Sequence, residues 1–346
     1  MTNWQEELKN SITTGEQLSE ELGCDQAEAV AVAARYPLRI STYYLDLIKR
    51  AGKPLFRQAV PDIRELDDPR GMIDPLGEED LSPVPNLVHK YPDRALFLVS
   101  SQCAMYCRFC TRKRKVGSDA MQITEASVAA GLEYLCRTPS IREVLISGGD
   151  PLLRSDRYLE DILQRLRAIK HIEVIRIGTR TPCTLPMRVT PELVSMLRKY
   201  HPLYINTHFN HPAEITPEST QACTLLADAG IPLGCQTVLL RGVNDSLEVI
   251  QKLMCELLRI RVRPYYLMQA DLTRGTGHFR TDLKTGLEII RGMIGTVSGM
   301  AVPTYVFDAP GGKGKIPLTP NYITSMREDA LEFVNYQGQP CACSLL

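Results

Sequence analysis

Residues 143–177 read EVLISGGDPLLRSDRYLEDILQRLRAIKHIEVIRI. Two short runs rich in β-branched and aliphatic residues, Glu143 to Ile146 and Ile172 to Ile177, enclose a stretch in which Leu, Ile and Ala recur at helical spacing. Ala95 to Val99, Leu203 to Thr207, Pro232 to Leu239, Val262 to Leu267 and Val302 to Phe307 are runs of the same kind, mostly separated by helical stretches. Strand and helix alternating this often predict an α/β chain whose parallel sheet curls into a whole or partial (β/α) barrel of the TIM type.

In such barrels the chemistry gathers at the carboxyl ends of the strands, where the loops converge. Five loops of this chain follow expected strands and carry polar or reactive residues. They are Cys103 to Cys110, Ser147-Gly148-Gly149-Asp150-Pro151, His208-Phe209-Asn210-His211, Asp271-Leu272-Thr273-Arg274-Gly275 and Asp308 to Lys315. Any one of them reads as an ordinary polar turn. Five at one rim predict a site.

Working outward, the first fifty residues read as helices. Trp4, Leu8 and Ile12 fall at helical spacing, Thr13 and Glu16 suggest a capping box, and Leu18 and Leu22 continue an apolar face up to Gly23. Pro54 to Pro92 is rich in prolines and acids with little periodicity, which suits an ordered wrapping segment. The expected division is 1–90 as a helical and wrapping segment, 91–316 as the barrel core, and 317–346 as a C-terminal helix and tail. The 346 residues suffice for one large domain with an appendage. Forty basic and forty acidic residues cancel, which gives no global field for nucleic acid or an anionic membrane. No apolar run approaches the roughly 20 residues that span a bilayer, and the start MTNWQEELKN lacks a signal-peptide core, so a soluble, cytoplasmic protein is expected.

Cys103, Cys107 and Cys110 have C-x3-C-x2-C spacing in SQCAMYCRFCTRKRKVG. Three soft thiolates without a fourth ligand would leave one iron of a four-iron, four-sulfide cube open. A structural zinc prefers four closed ligands in paired spacing, and disulfides need an oxidising compartment, so zinc and unlinked thiols are the lesser readings. The other eight cysteines (Cys24, Cys136, Cys183, Cys223, Cys235, Cys255, Cys341, Cys343) are mostly scattered, as small buried apolar residues are.

The cysteine run with Thr111-Arg112, the SGGDP loop and the DAPGGKGK segment together resemble the radical S-adenosylmethionine (SAM) superfamily and, within it, the lysine 2,3-aminomutase family, from about His89 to about Pro320. The resemblance implies three cofactors: a 4Fe-4S cluster on Cys103, Cys107 and Cys110, SAM, and pyridoxal 5′-phosphate. It implies that Ser147, Gly148, Gly149 and Asp150 receive the methionine end of SAM, glycine allowing close backbone approach and the carboxylate accepting from an ammonium group. His208 and Gln236 become further polar contacts near that cofactor. Lys315 becomes the catalytic amine that condenses with pyridoxal phosphate, and Lys90 and Arg94 meet its phosphate, Lys90 standing where the family has arginine. The family has four glycines before this lysine; here Lys313 replaces the third, leaving two candidate amines, of which Lys315 keeps the spacing to Asp308 and Pro317. The stretch lacks the G-K-[ST] ending of a phosphate-binding P-loop. Asp271 and Asp308 become the pair that holds a distant substrate ammonium, and Arg112 the fork for the substrate carboxylate, with Lys113, Arg114 and Lys115 left as a solvated basic run.

The implied activity is movement of the α-amino group of lysine to C3. Arginine would satisfy the same two acids, whereas a glutamate enzyme would want a cation or amide there. A lysine isomerase related to a translation factor and a non-catalytic iron–sulfur sensor are the other readings; the DLTRG and DAPGGKGK segments oppose the first, and the neutral charge balance and the pyridoxal-type lysine oppose the second. Expected partners are a small basic amino acid, a reductant protein such as flavodoxin or ferredoxin, and further copies of the chain as a homo-oligomer. Ser246 and the short tail with Cys341 and Cys343 lead to the expectation of no structural zinc.

Overall fold

The computed structural model describes residues 3–345, so Met1, Thr2 and Leu346, the far ends of the expected N-terminal segment and tail, lie outside the described residues. The unit quoted above shows how the rest is built. Ser155 caps a helix at Asp156–Ala168, accepting from the Tyr158 amide, and Leu159, Ile162, Leu163 and Leu166 form its buried stripe. That stripe carries the chain across the sheet from β3 (Glu143–Gly148) to β4 (Val174–Gly178), which pair in parallel.

Repetition gives a nine-stranded sheet in sequence order. The remaining strands are β1 (Leu87–Tyr91), β2 (Arg94–Ser100), β5 (Leu203–Thr207), β6 (Leu233–Leu239), β7 (Val262–Gln269), β8 (Thr304–Ala309) and β9 (Gly314–Pro317). Neighbours from β2 to β8 run parallel, and β1 and β9 add antiparallel edges. The two edges approach each other: the Lys315 amide on β9 donates to the Tyr91 hydroxyl on β1 at 3.2 Å. The fold is a nearly closed, mostly parallel barrel, as the strand alternation predicted.

Burial alternates along β3, β4 and β6 with period two. Val144, Ile146, Ile175, Ile177, Leu233, Cys235 and Leu239 pack into the main core. The alternate residues Leu145, Ser147, Arg176, Asn206, Gln236, Val238, Tyr266 and Met268 line a cavity instead. The inside of this barrel is therefore hollow where many (β/α) barrels are packed with side chains.

Three expectations are corrected. The capping box is Thr14 with Gln17, one residue past Thr13 and Glu16, because the helix begins at Gly15, where a Cβ would sit 2.6 Å from the Val30 nitrogen. The sheet starts at Leu87, ahead of the boundary at 90. The expected C-terminal helix is absent from the described residues: β10 (Ile323–Met326), β11 (Ala330–Val334) and β12 (Pro340–Ser344) form a separate antiparallel sheet. Its second turn is made by Asn335, whose side chain accepts from the Gln337 and Gln339 amides, and by Gly338 at φ 78°.

The wrapping segment contains a helix, Lys53–Ala59, and then passes over the barrel mouth with little regular structure. Buried side chains fasten it there. Glu65, 1% exposed, accepts from Arg108 Nη2 and Lys113 Nζ, each at 2.6 Å. The Arg108 amide donates to the Gln58 carbonyl at 2.9 Å, and the Tyr106 amide to the Arg39 carbonyl at 3.1 Å. Removing the carboxylate would leave two cations buried without a counter-charge. Glu65→Ala is expected to lose about 3–5 kcal/mol of unfolding free energy, read from the urea midpoint.

Candidate active site

The site begins where the ends of β2 and β3 are forced together. The Gly149 amide donates to the Ser100 carbonyl at 2.6 Å and the Asp150 amide to the Gln102 carbonyl at 2.7 Å. A Cβ on Gly148 would lie 2.1 Å from the Ser100 oxygen, and one on Gly149 2.5 Å from the Gln102 oxygen. Gly148 also sits at φ 134°. Only glycine permits this approach, which seats the cysteine loop against the SGGDP loop. Cys103, Cys107 and Cys110 then form part of one wall of the cavity.

Burial first, and the neighbouring carboxylate and thiols second, push the Cys103 thiol well above its usual range; burial and Cys107 push Cys110 to about 11. Ionising these soft donors side by side needs a compensating positive group, which metal ions supply. The three thiols are paired with no other cysteine. Three soft thiol donors on one cavity wall are the donor chemistry that iron–sulfur clusters take.

Asp150 lies at the cavity wall, but the carboxylate expected from sequence to accept a SAM ammonium is already engaged by protein donors. Its carboxylate accepts from the Leu152 amide at 3.0 Å, the Thr179 hydroxyl at 2.7 Å and the Arg180 amide at 2.8 Å, while burial keeps its pKa above the usual carboxylate range. It thus braces two rim loops. His208 stacks on Phe109, with ring centroids 5.7 Å apart, and its buried Nε2 has no protein partner. Burial and the Arg180 charge hold the imidazole neutral. Gln236 lines the cavity from β6. A glycine-lined cleft with an unpartnered buried nitrogen beside it suits a polar ligand such as SAM.

At the far end Asp308 on β8 stands in register with Lys315 on β9. Lys315 Nζ lies 2.6 Å from Asp308 Oδ2, and Lys90 Nζ lies 3.2 Å from Oδ1. Asp271 joins them in the cavity lining, its pKa raised to about 7 by burial and by the nearby Asp308 charge. Arg94 stacks over the Tyr91 ring at 3.9 Å and pairs with Asp93 at 2.8 Å. Gly311, Gly312 and Gly314 have φ of 73°, 74° and 98°, whereas Lys313 does not enter the left-handed region. The family's third glycine is the one this backbone does not require. Lys313 is exposed and Lys315 lines the cavity, which separates the two candidate amines. A primary amine paired with Asp308 in a cavity that Asp271 also lines, with cationic side chains on β1 and β2, fits an aldehyde cofactor bearing a phosphate.

The cavity brings together all fifteen residues expected from sequence: Lys90, Arg94, Cys103, Cys107, Cys110, Arg112, Ser147, Gly148, Gly149, Asp150, His208, Gln236, Asp271, Asp308 and Lys315. One expectation fails nearby. Residues 113–115 are not a solvated run, because acids of the wrapping segment lie against them: Lys113 pairs with Glu65, Arg114 with Asp74 and Glu79, and Lys115 with Glu79. Arg112 is itself gripped by Glu78, whose oxygens take Nε at 2.8 and 2.9 Å and Nη2 at 2.5 Å.

Sequence reading missed Glu78, Asp68 and Arg180. Asp68 Oδ2 accepts from the amides of Gly275, Thr276 and Gly277 at 3.0 to 3.2 Å and so fixes the loop that carries Asp271. Neither acid has a signal in an aperiodic segment. Arg180 has one, since it follows the Ile172 to Ile177 run at the same rim as the five loops.

Comparison with known proteins bears on the same residues. Residues 97–254 match the Radical SAM superfamily, and residues 290–342 match the family described as Lysine-2,3-aminomutase. The chain is 49% identical over 344 residues to an L-lysine 2,3-aminomutase of Fusobacterium nucleatum, covering 97% of this chain and 80% of that protein. It is 49% identical over 342 residues to the L-lysine 2,3-aminomutase of Clostridium subterminale, covering 97% and 82%. A glutamate 2,3-aminomutase of Clostridioides difficile is 43% identical over 342 residues, covering 97% and 81%.

The raised Asp271 pKa has a stability consequence. An acid whose folded pKa lies above its unfolded value keeps its proton in the fold, so stability is highest at low pH and falls as pH rises from about 4 to about 7. Asp271→Asn, measured without added ligand, is expected to remove this fall and to exceed the parent in stability at pH 8 by at most ~4 kcal/mol. Urea titrations of both proteins at pH 5 and pH 8 check it; a parent and variant that differ equally at both values refute it.

Proposed function

Because the chain belongs to the lysine 2,3-aminomutase family of the radical SAM superfamily, we propose that it moves the α-amino group of L-lysine to C3 and so produces β-lysine. The observation that carries this reading is the pairing of Asp271 and Asp308 beside Lys315 in the cavity whose other wall holds the three cysteines.

When bound, the three groups supply the chemistry: the cluster an electron, SAM the abstracting radical, and pyridoxal phosphate the carbonyl carbon that carries the amino group. Cys103, Cys107 and Cys110 would hold the cluster. The Gly148–Gly149 backbone, with Ser147, His208 and Gln236, would receive SAM, and Asp150 keeps that loop in place. Lys315 would hold pyridoxal phosphate, with Lys90 and Arg94 at its phosphate. Arg112 keeps unpaired N–H groups beyond its bond to Glu78, and these would grip the substrate carboxylate. Asp271 and Asp308 would hold the side-chain ammonium. Met105, Phe109, Val238 and Met268 face the same cavity and keep water away from reactive species.

Two carboxylates at the side-chain end oppose glutamate, whose own carboxylate would meet like charge, and leave arginine as the nearer competitor. The substrate is a small amino acid. A flavodoxin- or ferredoxin-type protein would deliver the electron in the cytoplasm. Among the described residues no helix is long and apolar enough to cross a membrane. Exposed Ile323, Met326 and Tyr336 on and beside the terminal sheet support association of copies into a homo-oligomer.

Anaerobically reconstituted protein, given SAM, pyridoxal phosphate, dithionite and one of lysine, arginine or glutamate, is expected to yield β-lysine fastest. Lys315→Ala should lose at least a hundredfold in rate, while Lys313→Ala retains most of it. Conversion of glutamate in preference to lysine overturns the assignment of the two aspartates.

A further inference from the structure

Arg180 lies two residues past the end of β4 with its side chain 10% exposed. Nη1 donates to Cys107 Sγ at 2.7 Å, and Nη2 donates to Gln58 Oε1 at 2.7 Å and to Glu214 Oε1 at 2.8 Å. The guanidinium carbon is 5.4 Å from the centre of the Phe109 ring. Its holders are held in turn. Glu214, fully buried, also accepts from the Tyr44 hydroxyl at 2.7 Å and the Asn210 amide at 2.6 Å. Gln58 Oε1 also accepts from Asn210 Nδ2 at 2.9 Å. The Arg180 amide is fixed on Asp150. Three separate segments thus prevent the fork from turning away from the sulfur.

Reducing an iron–sulfur cluster adds one negative charge that spreads onto its sulfur ligands. A hydrogen bond and a cation at one of those sulfurs stabilise the reduced form more than the oxidised form, and burial strengthens the effect. Glu214 offsets part of the charge, but it is held on Nη2, while Nη1 is the nitrogen that donates to Cys107.

We infer that Arg180, positioned by Glu214 and Gln58, raises the reduction potential of a cluster held by Cys107 and so makes the first electron easier to deliver. The inference rests on the cluster assigned under the proposed function and adds a residue that acts through a ligand.

The test is a redox titration of the reconstituted cluster followed by electron paramagnetic resonance, in the wild type, Arg180→Lys, Arg180→Gln and Glu214→Gln, with iron and sulfide assayed for each. Arg180→Gln is expected to weaken reduction about tenfold, a shift of about −59 mV for a one-electron couple. Arg180→Lys should shift the same way by less. Glu214→Gln, which removes the offsetting charge, should shift it positive, a change of sign that a merely structural role would not produce. Loaded variants with the wild-type midpoint overturn the inference. If Arg180→Gln does not load, Arg180→Lys decides by the same criterion. Failure of the wild type itself to form a four-iron cluster overturns the proposed function instead.

Discussion

Two backbone carbonyls, those of Ser100 and Gln102, press so closely on Gly148 and Gly149 that no side chain fits between. That contact sets the rest of the site. It joins the ends of β2 and β3, seats the cysteine loop and turns Asp150 inward. From there Asp150 reaches the Thr179 hydroxyl and the Arg180 amide, so the end of β4 is referenced to the same point. A glycine pair thereby determines where a sulfur wall and a buried guanidinium meet, which no single charged residue could do alone.

Charge is distributed by the same economy of parts. The wrapping segment carries Glu65, Asp74, Glu78 and Glu79 to the basic residues that follow the cysteines, and each cation there meets an acid. Glu78 orients Arg112 without exhausting its donors, while Glu65 buries Lys113 in the foundation of the loop. Neighbouring residues in one basic run therefore differ in role because different acids reach them. The segment also touches the other half of the site, since the Gly311 amide donates to the Pro75 carbonyl at 2.9 Å. One strand-free stretch thus spans from the cysteine loop to the lysine loop.

The barrel was legible because its signals are local. All seven expected apolar runs overlap β2 to β8, and the loops after β2, β3, β4, β5 and β7 line one cavity. The edges β1 and β9 were not read, since each is five residues or fewer and pairs antiparallel through turns of a few residues. The tail sheet was missed for the same reason. Glu65 finds Arg108 across 43 residues and Glu78 finds Arg112 across 34, separations at which periodicity carries no information. The solvated reading of Lys113 to Lys115 failed on this point: spacing reports that cations are adjacent, not which acids fold over them. Arg180 differs, because its place at the rim followed from the strand pattern already in hand.

Asp308 carries the last step. Its two oxygens meet two ammonium groups, from Lys90 and Lys315, so the pocket recognises with its own side chains the chemistry proposed for its substrate. Under the proposed function, an arriving lysine would replace one ammonium by another and leave the local charge balance intact, so little desolvation energy would be lost in the exchange. Asp271 adds the second carboxylate, whose burial beside Asp308 disfavours ionisation even with Lys315 and Lys90 nearby. A glutamate side chain has no such exchange to make: it would displace a counter-ion and add a third acid to two. In the proposed reading, selectivity for a basic side chain would rest on how Asp271 and Asp308 share one buried corner, not on either residue taken singly.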